Sequence, residues 1–259
     1  MGRAEAGEEI STRASTVVQP AILCEHGAVV AVDKPAGMLT IPDRYERARA
    51  HLHGWAEAAL GRRLFKVHRL DRETSGVVLF ATSADAHRAL NRQFELRLVQ
   101  KRYLALVDGG PKPHGFIRFG LEEDPAHPGR MRVAHPGTEA LTHFRVLERF
   151  HGFSWLELEP QTGRTHQLRV HCAALGHALA VDAFYGARTR LTLADLGVAD
   201  GGDTRLIDRL TLHHARIGWQ DPETSQPVSV ESPLPADLHR TLEALRQYAS
   251  RPAHQEFRQ

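Results

Sequence analysis

The chain has 259 residues, of which 42% are hydrophobic and 25% are charged. These proportions are typical of a globular protein with a substantial core, and they exclude a fibrous or wholly disordered chain. The net charge of +2 is only mildly basic, so composition alone does not indicate a nucleic-acid partner.

Cysteine usage and hydropathy predict the compartment. Cys24 and Cys172 cannot build a disulfide framework or a CxxC pair, which is typical of a reducing environment. No apolar run approaches the roughly 18 residues that a membrane span needs. The acidic N-terminus, with Glu5, Glu8 and Glu9, lacks the apolar stretch of a signal peptide. We therefore expect a cytoplasmic protein that does not associate with a membrane.

The first half of the chain alternates between predicted strands and helices. Residues 1–20 are polar and aperiodic, and they predict a flexible tail before one domain over residues 21–250. Ser83 is a predicted helix N-cap, because apolar residues at helical spacing follow it up to Phe94. The other predicted elements are a buried strand over 28–32, a helix over 47–60 that ends at Gly61, and strands over 77–81 and 103–107.

The second half is richer in strands. Glycine and proline divide residues 114–160 into short antiparallel strands. A helix is predicted from just after Gly163 to Leu175, with Gly176 as its C-terminal stop. An irregular connection over 187–204, a strand over 210–219 and an amphipathic helix over 235–249 complete the chain. This pattern indicates an α+β fold with a mainly antiparallel mixed sheet and flanking helices.

The segment 68–76, with the sequence HRLDRETSG, carries the most chemical information. It places the carboxylate of Asp71 between Arg69 and Arg72, in a polar loop that leads into an apolar strand. Nearby opposite charges keep an Asp ionised, and two such arginines could bind phosphates on either side of a substrate. A solvated ion cluster on the protein surface would explain the same segment, so this motif alone does not establish a site.

Basic residues are concentrated around this segment. Residues 62–72 contain five lysines and arginines against the single acid Asp71, and residues 88–102 contain five against Glu95. Such a stripe suits a polyanion whose binding weakens with salt. A solvated protein face would have the same composition, so the stripe supports RNA binding only together with a second motif.

That second motif is TGRTHQLRVH over residues 162–171. Together with residues 34–37 (KPAG) and 101–105 (KRYLA), the two long motifs resemble the RluA family of RNA pseudouridine synthases in their order and spacing. The resemblance covers roughly residues 21–235. It implies a single catalytic domain of that fold that isomerises uridine in a structured ribosomal or transfer RNA without a cofactor. Residues 1–20 are too few for the S4-type RNA-binding module of many relatives, so we expect the catalytic domain alone.

The resemblance also implies roles for individual residues. Asp71 matches the catalytic carboxylate, Arg169 its ion-pair partner, and Tyr103 the residue that stacks on the uracil. Arg69 matches the position that enters the RNA stack when the target base leaves, a step that costs a few kcal/mol. The further residues expected to contact RNA are Arg72, Arg164, His166 and Gln167. Whether Asp71 acts as nucleophile, general base or stabiliser of a cationic sugar stays open.

Other residues of the motifs are expected to shape the site. Leu70 and Leu168, which flank the charged pair, are expected to form apolar walls. Residues 74–76 are expected to form the turn that projects Asp71. Lys34 and Pro35 belong to the resemblance, but the sequence suggests no chemistry for them beyond a rigid exit from a strand.

The chain departs from the family pattern after the second motif. Relatives usually continue with His-Pro-Ile-x-Gly-Asp before Tyr-Gly, whereas here Ala178 replaces the proline and Val181 replaces the glycine. Asp182 and the Tyr-Gly pair at 185–186 remain. A β-branched valine does not readily adopt backbone angles that favour glycine, so we expect a local difference at the rim of the pocket.

The 17 histidines raise a metal-dependent hydrolase as a second hypothesis. None of the close pairs has the i, i+4 spacing with a glutamate that the HExxH zinc motif requires. These pairs are His51 and His53, His166 and His171, and His213 and His214. We therefore expect no metal and no other cofactor, which metal analysis of the purified protein would test.

A third hypothesis is an RNA-binding protein of the same fold that has lost catalysis. Such a protein would be expected to lose Asp71, Tyr103 or Arg169, and all three are present. A glycoside hydrolase would need two converging carboxylates, whereas the motifs supply one. The sequence therefore favours an RNA-modifying enzyme, which we expect to be a monomer.

Overall fold

The computed structural model describes residues 18–42 and 49–250 of the chain. These residues form an eleven-stranded mixed sheet, a small two-stranded sheet and four α-helices. The strands are β1 Ala21–His26, β2 Val29–Lys34, β3 Phe65–Lys66, β4 Ser75–Ala81, β5 Gln100–Asp108, β6 His114–Glu123, β7 Met131–Val133, β8 Thr138–Arg149, β9 Phe153–Pro160, β10 Leu191–Thr192, β11 Arg205–Ile207, β12 Leu212–Gln220 and β13 Pro227–Glu231. The helices are α1 Leu52–Leu60, α2 Ala84–Glu95, α3 Gln167–Ala174 and α4 Ala236–Tyr248.

The large sheet has the strand order β1-β2-β4-β12-β5-β9-β8-β6-β7, with β3 beside β4 and β13 beside β12. Its strand pairs are antiparallel except for β4 and β12, which run parallel. The predicted α+β class with a mainly antiparallel mixed sheet is therefore confirmed.

The parallel contact between β4 and β12 depends on a glycine. Gly76 lies opposite His214 and has a φ of +117°, in the range that favours glycine. A Cβ atom at Gly76 would lie 2.2 Å from the backbone oxygen of His214, which is closer than any real contact. This close approach brings the loop before β4, which carries Asp71, near β5, because His213 and His214 of β12 pair with β4 on one side and with β5 on the other.

The two faces of the sheet are covered by different helices. Along β4, Val77 and Leu79 pack in the cluster that contains α2, whereas Val78 and Phe80 pack in the cluster of α1. Along β5 the same alternation separates the cluster of α3 from that of α4. Tyr103 contacts the clusters of both α1 and α3. The candidate site therefore lies on the face that these two helices share.

Several predicted boundaries differ from the structure. The helix predicted over 47–60 begins at Leu52, because the His51 ring accepts a hydrogen bond from the Gly54 amide and caps it there. Residues 47 and 48, and residues 1–17 of the predicted tail, lie outside the described residues. The helix expected to begin just after Gly163 begins at Gln167. Strand β1 was not predicted, because its half-exposed residues show no regular apolar alternation.

The other predictions fit more closely. Ser83 caps α2 by accepting the Ala86 amide, and α4 lies within the predicted range. The connection over 187–204 is mostly irregular, but it contains β10 and short 3-10 turns. Val181 is buried and lies outside the positive-φ region, so the replacement of glycine causes no backbone strain there.

Candidate active site

Two buried side chains hold the loop that carries Asp71. Lys34 is fully buried, and its ammonium group donates to the carbonyl oxygens of Pro35, Met38 and Arg72 at 3.0, 2.7 and 2.9 Å. The Thr40 hydroxyl donates to the Leu70 carbonyl at 2.9 Å and accepts from the Leu70 amide at 3.1 Å. The residues on both sides of Asp71 are thereby fixed, which supplies the role for Lys34 that the sequence did not suggest.

The charge of Lys34 matters for this arrangement. Burial lowers its pKa to about 7, although Glu73 and Asp71 favour the charged form. The three carbonyl oxygens require three N–H donors, which only the ammonium form provides. Lys34 is therefore a buried charge that is compensated by main-chain dipoles and by the carboxylates of the active-site loop.

The predicted turn after Asp71 is present. The Thr74 amide donates to the Asp71 carbonyl at 3.1 Å, and both Thr74 and Ser75 are buried. The turn leads directly into Gly76, where β4 meets β12. The side chain of Asp71 is 22% exposed, so it faces the cleft without being open to bulk solvent.

The nearest polar side chains to the Asp71 carboxylate approach its Oδ2 atom. Oδ2 lies 3.7 Å from Nη1 of Arg169 and 3.9 Å from Nε2 of His166. Among residues 18–42 and 49–250, neither carboxylate oxygen accepts a hydrogen bond. The carboxylate therefore keeps its capacity to accept hydrogen bonds from a substrate.

The principal partner of Arg169 is a residue other than the one predicted. Nε and Nη2 of Arg169 donate to the two oxygens of Asp182 at 2.8 and 2.7 Å, and the two side chains are 8% and 0% exposed. The expected pair between Arg169 and Asp71 is only a longer contact. Burial disfavours the charge on Arg169, but its hydrogen bonds to Asp182 raise its pKa above the ordinary value. Asp182 thus orients the guanidinium that faces Asp71.

Asp182 also connects α3 to the next loop. Its Oδ1 atom accepts the amides of Phe184 and Tyr185 at 2.8 and 3.2 Å. The Arg169 guanidinium lies 5.0 Å from the ring centroids of both aromatic residues. The loop that contains Asp182, in which the chain departs from the family pattern, therefore contacts Arg169.

His166 lies deeper than an RNA-contacting surface residue would. Its side chain is 13% exposed and faces Asp71, and its Nδ1 atom lies 2.8 Å from the Tyr185 hydroxyl. Burial lowers its pKa, although Asp71 favours the protonated form. The predicted RNA contact of His166 stays a prediction, and its nearest carboxylate is that of Asp71, the predicted catalytic residue.

Tyr103 lies on β5 and faces the same pocket as Asp71. Its ring stacks on that of His214, with centroids 4.2 Å apart and planes inclined by 12°. Burial, together with the nearby Asp71 charge, raises the pKa of its hydroxyl above the ordinary value. No local pattern indicates the His214 contact, because this partner comes from a strand more than 100 residues later in the chain.

His214 itself is firmly placed. It is fully buried, and its Nδ1–H donates to the Val77 carbonyl at 2.7 Å. Burial keeps its pKa well below the ordinary value, so the ring is neutral at physiological pH. His213 and His214, considered as metal candidates from the sequence, instead support Ser75 and Tyr103.

These residues surround two connected spaces. An outer cleft of about 730 Å³ is lined by Arg69, Asp71, Arg72 and Phe184. A small inner pocket of about 110 Å³ is lined by Asp71, Tyr103, Arg169, Lys101 and the two leucines expected to form apolar walls, Leu70 and Leu168. Asp71 lies where the two spaces meet, since it lines both.

The residues predicted to contact RNA differ in their exposure. Arg69 and Arg164 are exposed, and Arg72 is about half exposed while it donates to the Gly37 carbonyl at 3.0 Å. Gln167 is only 4% exposed, and its side-chain amide bonds to protein groups of Thr162, Arg164, Leu141 and Thr142. An RNA contact by Gln167 stays a prediction that this geometry does not favour.

Only part of the basic stripe borders the cleft. Arg88 and Arg92 lie on α2 and pair with Asp85 and Glu95 of the same helix, and all four side chains are largely exposed. A solvated helix face explains that part. The cationic residues that line the two spaces are Arg69 and Arg72 of the loop around Asp71, together with Lys101, Arg164, Arg169 and Arg209.

A family model described as RNA pseudouridylate synthase matches residues 28–174, which is more than half of the chain. The protein therefore belongs to this family of RNA-modifying enzymes. Its order of motifs and its curated relatives place it in the RluA family of RNA pseudouridine synthases.

Named relatives are similar over most of this chain. Ribosomal large subunit pseudouridine synthase D of Nitrosomonas europaea is 36% identical over 87% of this chain and 65% of its own length. The protein of the same name from Xylella fastidiosa is 36% identical over 87% of this chain and 69% of its own length. The chain thus spans about two thirds of the length of these relatives.

A solved structure shares the fold. Human RNA pseudouridylate synthase domain containing 4 superposes with a TM-score of 0.71 at 25% identity, over 89% of this chain and 94% of that one.

Within the described ranges, no helix is long and apolar enough to cross a membrane. In the same ranges, no three His, Cys, Asp or Glu side chains are grouped as metal ligands.

Proposed function

We propose that the protein isomerises uridine to pseudouridine in a structured RNA. The observation that supports this most is the position of Asp71, whose Oδ2 atom faces Arg169 and His166 and whose carboxylate, without a hydrogen bond from the described residues, borders the inner pocket. The reaction needs one ionised, oriented carboxylate beside a small dry pocket for a detached base. The arrangement of Asp71, Arg169 and Tyr103 fits that requirement.

The proposed reaction proceeds within the inner pocket. The N1–C1′ bond of the target uridine breaks, the uracil turns, and C5 bonds to C1′. The C5 proton then leaves and N1 takes up a proton, so the product is an isomer of the substrate. Arg169 orients Asp71 throughout, because its guanidinium attracts the carboxylate. The uracil lies against Tyr103, whose ring is supported from behind by His214. Asp71 attacks the substrate or accepts a proton from it through Oδ1.

The RNA would be held by the arginines at the outer cleft. Arg72 and Arg164 contact phosphates, and Arg69 enters the helix at the place that the target base leaves, which offsets part of the unstacking cost. Ribosomal RNA is the first substrate class to test, because the relatives named above act, by their names, on the large ribosomal subunit. Transfer RNA is the second. We place this activity in the cytoplasm and assign it to the monomer, with no cofactor.

Tritium release from RNA labelled at uridine C5 tests the proposal. The C5 atom loses its hydrogen only when it becomes the new glycosidic carbon, so release reports the isomerisation. Wild type and Asp71→Asn are compared on ribosomal and transfer RNA. Asp85→Asn is the matched control, since Asp85 is 87% exposed on α2 and pairs with the exposed side chain of Arg88.

We expect release by wild type and by Asp85→Asn, and none by Asp71→Asn, which should still bind RNA. Turnover by Asp71→Asn within tenfold of wild type would remove Asp71 from the mechanism. Absence of release from both RNA pools, with RNA still bound, would support the binding-only alternative instead.

A further inference from the structure

The position of the proton on the His166 ring follows from its hydrogen-bonded neighbours. The Met131 amide, which can only donate, lies 2.7 Å from the Tyr185 hydroxyl oxygen. The proton of that hydroxyl is then free to point at Nδ1 of His166, 2.8 Å away. With Nδ1 as the acceptor of that proton, the neutral ring carries its own proton on Nε2.

This proton faces the catalytic carboxylate. Nε2 of His166 lies 3.9 Å from Oδ2 of Asp71, the same oxygen that Arg169 approaches to 3.7 Å. An N–H group directed at a carboxylate is favourable, whereas the lone pair of the other tautomer would be repelled. Distances of this size in a substrate-free active site often shorten when the substrate binds.

The backbone of His166 adopts a left-handed conformation, and its ring lies between Tyr185 and Asp71. Its φ is +52°, one of three positive values among the non-glycine residues that the structure describes. A left-handed residue other than glycine costs roughly 1–2 kcal/mol and persists only where the surroundings impose it. Here the following residue, Gln167, is anchored by its buried amide, and His166 lies between Tyr185 and Asp71.

We propose that Tyr185 and His166 are positioning residues for Asp71. Tyr185 fixes the tautomer in which His166 presents Nε2–H to Oδ2, and this donor, with Arg169, keeps Oδ2 occupied so that Oδ1 meets the substrate. The inference rests on the proposed function, and it assigns to His166 a role different from the RNA contact that the sequence suggested.

The tautomer can be observed without RNA. Two-bond ¹H–¹⁵N correlation spectra distinguish a protonated ring nitrogen from an unprotonated one, and the His166→Gln spectrum identifies the signals of His166. We expect Nε2 protonated and Nδ1 unprotonated in wild type at neutral pH. In Tyr185→Phe, which lacks the hydroxyl, we expect a mixture of tautomers. A wild-type ring protonated on Nδ1 would overturn the inference.

A matched pair of variants tests the consequence for catalysis. The amide nitrogen of glutamine reaches roughly the position of Nε2 and can donate, whereas asparagine is too short but tolerates the left-handed backbone better. We expect the single-turnover rate to fall less than about tenfold in His166→Gln and about 100-fold in His166→Asn, with RNA affinity within threefold of wild type in both. If the activity of His166→Asn equalled or exceeded that of His166→Gln, the role of His166 would be limited to its backbone conformation.

The outcomes of these experiments distinguish a failure of the positioning role from a failure of the proposed function. If wild type releases no tritium from either RNA pool, the proposed function fails while the tautomer can still be as assigned. If wild type is active but the tautomer or the order of the two variants is wrong, only the positioning role fails. Tyr185→Phe should also lower the single-turnover rate without changing RNA affinity, and an unchanged rate would contradict the inference.

Discussion

Asp182→Asn tests the buried ion pair with Arg169 at the candidate active site. The substitution keeps the size of the side chain but removes the charge that compensates Arg169, and the introduced amide places donor hydrogens opposite the guanidinium. Asp182 is fully buried and Arg169 is 8% exposed, so solvent cannot replace the lost partner. Breaking one side of a buried ion pair typically costs about 3–5 kcal/mol.

We expect the lower end of that range, about 3 kcal/mol, because the introduced amide oxygen can still accept one hydrogen bond. For a chain of this size such a loss lowers the melting temperature by roughly 6–12 °C. Arg169 would also move relative to Asp71, and a misplacement of about 1 Å near reacting groups can reduce the rate about 100-fold. Urea unfolding and tritium release measure the two effects separately.

Glu148→Gln is the matched control. Glu148 forms a similar two-pronged pair with Arg246, at 2.8–3.1 Å, but these side chains are 34% and 52% exposed. Exposed pairs contribute about 0–1 kcal/mol, so this variant should retain wild-type activity and nearly wild-type stability. If Asp182→Asn also lowered the free energy of unfolding by less than about 1 kcal/mol, the buried pair of Arg169 and Asp182 would not stabilise the site as described.

Three further predictions concern stability and RNA binding. Arg69→Ala should lower turnover of folded RNA more than turnover of a short single strand, because only the folded RNA needs a wedge, and equal losses would argue against that role. Gly76→Ala should prevent folding, since its Cβ would meet backbone at 2.2 Å, whereas Gly61→Ala, with open space around it, should fold with a loss of about 1 kcal/mol. Acidification should destabilise the protein through His171 and His213, whose pKa burial lowers to about 4.

The sign of the pH effect follows from the direction of the two shifts. Each folded-state pKa lies below the ordinary value of 6.5, so between about pH 6.5 and 4 the unfolded chain binds more protons than the folded one. Stability is therefore lost as the pH falls through this window. Each group contributes up to about 1.4 kcal/mol per pH unit, which gives a slope of about 3 kcal/mol per unit for the two. Equal free energies of unfolding at pH 7 and pH 5 would contradict the prediction.

The sequence predicted the elements and residues that carry local signals. Ser83 caps the start of α2 and Gly61 caps the end of α1, and the neighbouring residues in the sequence indicate both boundaries. Both residues occupy the predicted positions. The two long motifs identify Asp71 and Arg169, the short segment 101–105 identifies Tyr103, and the structure brings all three to one pocket. What these residues do in catalysis stays a proposal.

The contacts between distant residues could not be predicted in this way. The sequence pairs Arg169 with Asp71, but the guanidinium of Arg169 forms its hydrogen bonds with Asp182. The family pattern includes Asp182 without indicating which side chain it contacts. The stacking of His214 on Tyr103 depends on the register of two strands far apart in the chain. Such pairings arise from sheet topology, which a single sequence does not encode in any local pattern.

Nucleoside analysis of treated RNA by mass spectrometry tests the central claim most directly. Pseudouridine has the mass of uridine but a carbon–carbon glycosidic bond, so it resists the fragmentation that releases the base from uridine. We expect wild type to convert uridine to pseudouridine in ribosomal or transfer RNA, in an amount equal to the tritium released, and Asp71→Asn to form none. Tritium release without pseudouridine, or pseudouridine formed equally by Asp71→Asn, would contradict the account.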